Sequence, residues 1–381
     1  MNTSPIYDRI SKDLKNRHEQ ELFRSIRSAD VKAPVDLSTN SYLALHAEPE
    51  IIQQARELTG DNLSGNLASR LVTETSPLYA VLESELASWE HTESSLVFST
   101  GYAANVGMIQ AICTKDTEVF CDRLNHASIY DGIALSGCKL NRYRHVDISD
   151  LRDRLSASTT KEKLIVTDTV FSMDGDRAPL GDICELAKKF NCLVMVDEAH
   201  ATGIFGATGT GLVEETGTSD NIDIRMGTLS KALAGLGGYF AGTSLFRDYF
   251  VNFSRSLIYS TGLPQAALAF TIAAIRFIRK RPGYGRMLLD KADTFRQRVK
   301  NTGYSTFDST TQIIPCLVNS KDEAIQLSAY LKNNGISAPA IRPPTVPEGT
   351  ARIRLSYNLG LGSTEENFII DKLTNWKTNH A

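Results

Sequence analysis

The run CLVMVDEAHATG, residues 192–203, carries the first decision about the fold. Its apolar residues are continuous up to Asp197, the pattern of a strand buried on both faces. Four other short runs also look like strands: SLVFS (95–99), TEVFC (117–121), KLIVTDTV (163–170) and IDIRMG (222–227). Between them, segments such as VLESELASWE (81–90) and DICELAKKFN (182–191) have helical spacing. Strands alternating with helices over this length predict an α/β fold, a parallel sheet covered by helices.

The pattern changes after Pro264. A long helical region, 265–300, leads to TQIIPCLV (311–318), the helix DEAIQLSAYLKNNG (322–335) and the strand ARIRLSY (351–357). This predicts a large domain over 46–264 and a smaller α/β domain over 265–381. Residues 1–45 form an arm, with an amphipathic helix over 5–29 whose apolar positions include Ile10, Leu14, Leu22 and Ile26.

Composition narrows the function. The 381 residues are 42% hydrophobic and 22% charged, with a net charge of −3 and no long basic run, which argues against a nucleic-acid or anionic-membrane partner. The N-terminus has no apolar signal core, and no stretch approaches the length of a membrane span. Cysteines 113, 121, 138, 184, 192 and 316 are scattered without a CxxC pair, so reduced thiols are expected and no zinc site. A cytoplasmic enzyme is the expectation.

In open parallel sheets ligands bind beyond the carboxyl ends of the strands. Asp197 sits at such an end, with His200 three positions on. DEAH after an apolar strand also matches the magnesium-holding motif of helicases, but that needs an upstream GxxxxGK[ST], and the chain has no Gly-Lys pair. An aspartate capping the next turn is the plainer alternative. GATGTG (206–211) has the wrong spacing for a dinucleotide fingerprint.

GTLSKALAGLGGY (227–239) sets Lys231 among small, uncharged residues. Desolvation there lowers an amine's pKa and frees it as a nucleophile, suited to an imine with a carbonyl of a substrate or of pyridoxal phosphate. Pyridoxal phosphate also needs a carboxylate at its ring nitrogen, which Asp197 can supply. Thr228 and Ser230 can donate to phosphate, and FSTGYAAN (98–105) turns from strand into a helix whose free amides suit the same group. His126, in DRLNHASIYDG (122–132), is flat enough to stack on a ring.

Together with LSTNSYLAL (37–45), VFSMDGDRAPL (170–180), LIYSTGLP (257–264) and IRPPTVPEGTARIRL (341–355), these stretches resemble the α-oxoamine synthases from about Leu37 to Arg354. The resemblance implies a pyridoxal-phosphate-dependent enzyme of fold type I, with a mainly parallel seven-stranded sheet. It implies that Lys231 holds the cofactor, Asp197 pairs with the ring nitrogen, His200 bonds the phenolic oxygen and His126 stacks on the ring beside Ser172. Gly101, Tyr102 and Thr228 would take the phosphate, with Thr261 reaching it from the second subunit of a homodimer. Asn40 and Arg354 would grip an amino acid's carboxylate. The implied reaction is decarboxylative condensation of that amino acid with an acyl-CoA or acyl-carrier-protein thioester, giving an α-amino ketone. A catalytically inactive subunit of the same fold would have no chemical need for Lys231.

Three places depart from the resemblance. Glu74 and Tyr79 stand where many members have glycine and histidine. Ser69-Arg70 is similar to long-chain members, and SYNLGLG (356–362) replaces the usual Ala-Ala-His.

Overall fold

A computed structural model describes residues 4–20, 22–24, 26, 34–61, 64–73 and 75–380; Glu74 lies outside them. Twelve strands are present among these residues. They are β1 (Val35–Asp36), β2 (Ser94–Phe98), β3 (Thr117–Asp122), β4 (Lys139–Tyr143), β5 (Glu162–Asp168), β6 (Leu193–Asp197), β7 (Ile224–Thr228), β8 (Gly238–Gly242), β9 (Ile313–Asn319), β10 (Ile336–Ser337), β11 (Ala340–Ile341) and β12 (Ala351–Ser356). Seven form one sheet in the order β2-β8-β7-β6-β5-β3-β4. β4, β3, β5, β6 and β7 run parallel, and β8 is antiparallel to both neighbours, β7 and β2.

The continuous apolar runs are explained by what covers the sheet. Side chains alternate between its faces. Val97, Phe120, Ile165, Val194 and Val196 join one apolar cluster, with Leu82, Leu86 and Trp89 of helix Pro77–Glu90 and Leu268 and Ile272 of helix Gln265–Arg279. Leu96, Phe98, Leu164, Val166 and Met195 join another, with Met108 of helix Gly101–Ile112 and Ile133 of helix Ala127–Ser136. Fully burying each aliphatic side chain stabilises by about 1.5–3 kcal/mol, and the buried charged exceptions inside the strands, Glu118 in β3 and Arg225 in β7, are each ion-paired.

Two sheet strands were not anticipated. β4, KLNRY, is an edge strand paired only with β3 and mostly exposed, so it has no reason to be apolar. β8, GYFAG, hides in a glycine-rich segment whose glycines are steric requirements. A Cβ on Gly238 would lie 2.6 Å from the Cα of Gly101, so β8 can pass the start of helix Gly101–Ile112 only without a side chain.

The expected helix over 265–300 is two helices, Gln265–Arg279 and Tyr284–Asn301. Pro282 cannot continue the first, and Gly283 (φ 91°) supplies a left-handed turn before the second. Beyond them β11, β12 and β9 form a three-stranded antiparallel sheet. β1 pairs in parallel with β10, which brings residues 35–42 to this part of the chain.

The chain divides into two compact units, 1–34 and 35–381. In the first, helix Pro5–Glu19 starts with proline in its first turn and buries none of its residues. It ends ten residues short of the expected stretch, leaving Leu22 and Ile26 outside it. Helices gain most of their stability from packing an apolar face; among the described residues this one has the exposed ion pairs Arg9–Asp13 and Lys15–Glu19 and a stack of His18 on Phe23. No helix among the described residues is long and apolar enough to cross a membrane.

Candidate active site

Asp122, Asp168, Asp197 and Thr228 end β3, β5, β6 and β7, so the parallel strands deliver three carboxylates and a hydroxyl to one edge. A cleft of about 150 Å³ opens there. Of the residues nominated from sequence, Gly101, Tyr102, His126, Asp197, His200, Thr228 and Lys231 line it together. Asn105, Ser128 and Asp168 line it too; a helical asparagine, a serine and a further strand-end aspartate carry no motif of their own.

Asp197 is buried and held at both oxygens. Oδ1 accepts the backbone N–H of Ala199 (2.8 Å), and Oδ2 accepts from Nδ2 of Asn105 (2.7 Å). Asn105 also reaches Ser128 Oγ (2.9 Å), which lies 2.7 Å from Nδ1 of His126. His126 is the N-cap of helix Ala127–Ser136, and that fixes where its ring leaves the backbone. Burial lowers its pKa; the charge of Asp197 opposes the shift and that of Lys231 adds to it.

Lys231 lies between β7 and β8, half-buried, with Nζ 2.9 Å from Nε2 of His200. Burial pulls the amine down to about 8, while the carboxylates of Asp197 and Asp168 resist. His200 is pushed well below its ordinary value by burial first, then by Lys231 and Arg354. Its imidazole is therefore neutral, with one nitrogen donating and the other accepting.

His200 connects this cleft to the predicted carboxylate grip. Its Nδ1 is 2.7 Å from the hydroxyl of Tyr42, which in turn donates to Asn40 Oδ1 (3.0 Å). Arg354 donates through Nη2 to both Asn40 and Tyr42 (3.2 Å each), through Nε to the Ser172 carbonyl (2.6 Å) and through Nη1 to Ser356 Oγ (2.6 Å). Asn40 and Arg354 thus meet as a pair beside the cleft. Tyr42 and Gln312, whose amide donates to the His200 carbonyl (2.9 Å), are the members that sequence reasoning missed. Tyr42 stands inside LSTNSYLAL, where its position in an apolar stretch reads only as core.

Two nominated residues are placed elsewhere. Ser172 meets Arg354 through its carbonyl and does not line the cleft. Thr261 bridges to Ser69 in a short antiparallel contact, also outside the lining. Two of the departures from the family pattern, Ser69-Arg70 and Tyr79, converge on that loop. Ser69 Oγ donates to the Ile258 carbonyl (2.6 Å), and the Leu263 N–H donates to the Tyr79 hydroxyl. Arg70 pairs with Glu83 (2.7 Å) while lying over the Tyr79 ring (3.8 Å). In SYNLGLG, Leu359 donates to the Tyr42 carbonyl (2.9 Å) and Asn358 to that of Asp36 (3.2 Å), holding the Asn40 segment in place.

The cleft suits a flat, phosphorylated, carbonyl-bearing ring with a cationic nitrogen. A poised amine stands at one wall, an anion with both oxygens fixed at another, and the start of a 12-residue helix at a third. Unpaired amides at a helix N-terminus favour phosphate, and the Gly101–Gly238 approach keeps side chains out of that corner. The sequence model for aminotransferase class I and II matches residues 32–367. The chain belongs to that family.

The 8-amino-7-oxononanoate synthase of Trichlorobacter lovleyi is 41% identical over 357 residues, covering 91% of each chain. A high-resolution structure of SPT with PLP superposes with a TM-score of 0.91 at 27% identity, covering 100% of this chain and 99% of its own. The serine palmitoyltransferase of Sphingomonas wittichii gives 0.90 at 26%, with the same coverage. The seven-stranded, mainly parallel architecture expected from the motifs is the fold these relatives share.

Proposed function

We propose that this chain is a pyridoxal-phosphate-dependent acyltransferase of the α-oxoamine synthase type, acting as an 8-amino-7-oxononanoate synthase of biotin biosynthesis. The reaction joins the Cα of L-alanine to the acyl carbon of a pimeloyl thioester, on coenzyme A or a carrier protein, releasing the thiol and carbon dioxide. The 41% identity across 91% of the chain supports this substrate pair. The observation that carries the chemistry is Lys231, an amine brought to about 8 in the same cleft as Asp197.

When bound, pyridoxal phosphate would draw the electron pair left at the substrate's Cα into its pyridinium ring. Asp197, fixed by Ala199 and Asn105, would keep the ring nitrogen protonated. His126 would stack on the ring, His200 would donate to its phenolic oxygen, and Gly101, Tyr102 and Thr228 would hold the phosphate. Lys231 would hold the cofactor through its carbonyl carbon and, as a free amine, would take the proton from the substrate's Cα. A base near the working pH does this best. Arg354 and Asn40 exchange their mutual contact for the substrate's carboxylate, a bidentate task that a guanidinium suits. Ser172, whose carbonyl holds Arg354, would come beside the ring, and Thr261 would serve the phosphate of the partner subunit in a cytoplasmic homodimer. Residues 46–264 are the cofactor domain and 265–381 the small domain.

A second reading, a long-chain or serine-using synthase, is favoured by the superposition on serine palmitoyltransferase and by Ser69-Arg70. 2-Amino-3-ketobutyrate ligase chemistry belongs to the same group. Purified protein supplied with pyridoxal phosphate should turn yellow, and Lys231→Ala should abolish the covalent attachment. Thiol release should follow from alanine with pimeloyl-CoA. A colourless protein refutes the enzyme, whereas release only with serine or glycine selects the second reading.

A further inference from the structure

Asp168 closes β5 as Asp197 closes β6, and the two are register partners on adjacent parallel strands. Both are buried, at 4% and 5% exposure, and both line the cleft. Their hydrogen bonding differs. Asp197 has a donor on each oxygen. Asp168 accepts the backbone N–H of His126 at Oδ2 (3.2 Å), while its buried Oδ1 has no partner. A carboxylate desolvated at one oxygen without a donor is costly, and a second negative charge one strand away adds to the cost. Asp122, at the end of β3, contributes further negative charge, and Lys231 is the cation that Asp168 shares with Asp197. A proton on Oδ1 removes the conflict.

We infer that Asp168 is an un-ionised second acid of this site, a positioning residue that anchors His126 through Oδ2 and leaves Asp197 the single anion beside the bound ring. The cofactor clause rests on the pyridoxal phosphate reading above. Burial, and after it the charge of Asp197, pushes the Asp168 carboxyl well above the usual range, against the His126 N–H and Lys231. The arrangement has a purpose for Lys231. Two ionised carboxylates would hold it as an ammonium, whereas one leaves the amine accessible near neutral pH.

The test has two arms. In the infrared spectrum of cofactor-free protein near neutral pH, Asp168→Asn should remove a carbonyl stretch of an un-ionised carboxylic acid. Loss of a carboxylate band instead overturns the inference. In titrations of stripped protein with pyridoxal phosphate, followed by fluorescence, the Asn variant keeps a neutral acceptor for His126 and should bind within about threefold of wild type. Asp168→Ala should bind about tenfold more weakly, the loss expected for one buried hydrogen bond. Equal weakening of both variants, or none in Ala, overturns the anchoring role. If wild type itself fails to bind pyridoxal phosphate, the functional reading falls, and the infrared arm still decides the protonation of Asp168.

Discussion

The pH at which Lys231 loses its proton is the property on which the chemistry turns. Burial lowers it from 10.5 to about 8, with the charge of Asp197 resisting. At pH 7 a value of about 8 leaves about one amine in ten neutral, against about one in three thousand for an ordinary lysine. The neutral amine is the nucleophile, so attachment of pyridoxal phosphate at pH 7 gains about 300-fold from this shift. Stopped-flow mixing of stripped protein with pyridoxal phosphate across a pH series measures it. The rate should climb with pH and level off near 8. Asp197→Asn removes an anion that favours the ammonium, so its plateau should begin at lower pH. A rate still climbing at about pH 10, the ordinary lysine range, refutes the desolvation argument. A plateau that moves up in Asp197→Asn refutes the electrostatic one.

His145 is clasped between Asp122 (3.0 Å) and Asp176 (2.8 Å), and although burial opposes it, these bonds raise its pKa from 6.5 to about 9. A value raised by folding gives stability that is fully present below about 6.5 and lost as pH rises through about 9. The gap in urea stability between wild type and His145→Asn should therefore shrink by up to about 3 kcal/mol between those limits; a pH-independent gap would remove the charged clasp. Gly238→Ala forces a Cβ within 2.6 Å of Gly101 Cα and 2.9 Å of the Thr100 carbonyl. Overpacking of this kind costs about 1–3 kcal/mol, and the displaced helix start should also weaken pyridoxal phosphate binding. An alanine variant with wild-type stability and affinity would show that the corner has slack.

Much of the sheet was legible because burial on two faces leaves an unmistakable mark: LIV (164–166) and LVMV (193–196) have no polar alternate to confuse the period. The same physics hid β4 and β8. An edge strand needs no apolar run, and a strand squeezed against a helix start needs glycine, which reads as a turn. The N-terminal helix was overestimated because apolar spacing records an opportunity to pack, and Pro5–Glu19 buries none of its residues.

Local chemistry, by contrast, was written in the chain. Lys231 among small residues and Asp197 at the end of an apolar run mark a candidate amine and carboxylate, because residue type and near neighbours carry that signal; the burial of the amine and the Asn105 hold on Asp197 came with the fold. Properties that depend on distant ones were decided by the tertiary structure. Asn40 and Arg354 meet only because β1 pairs with β10 and residues 358–359 hold the 36–42 segment beside β12. Tyr42 reaches His200 by the same route. Asp168 looks like any strand-end aspartate until β5 lies beside β6, when a shared register sets two carboxyls side by side with donors enough for one.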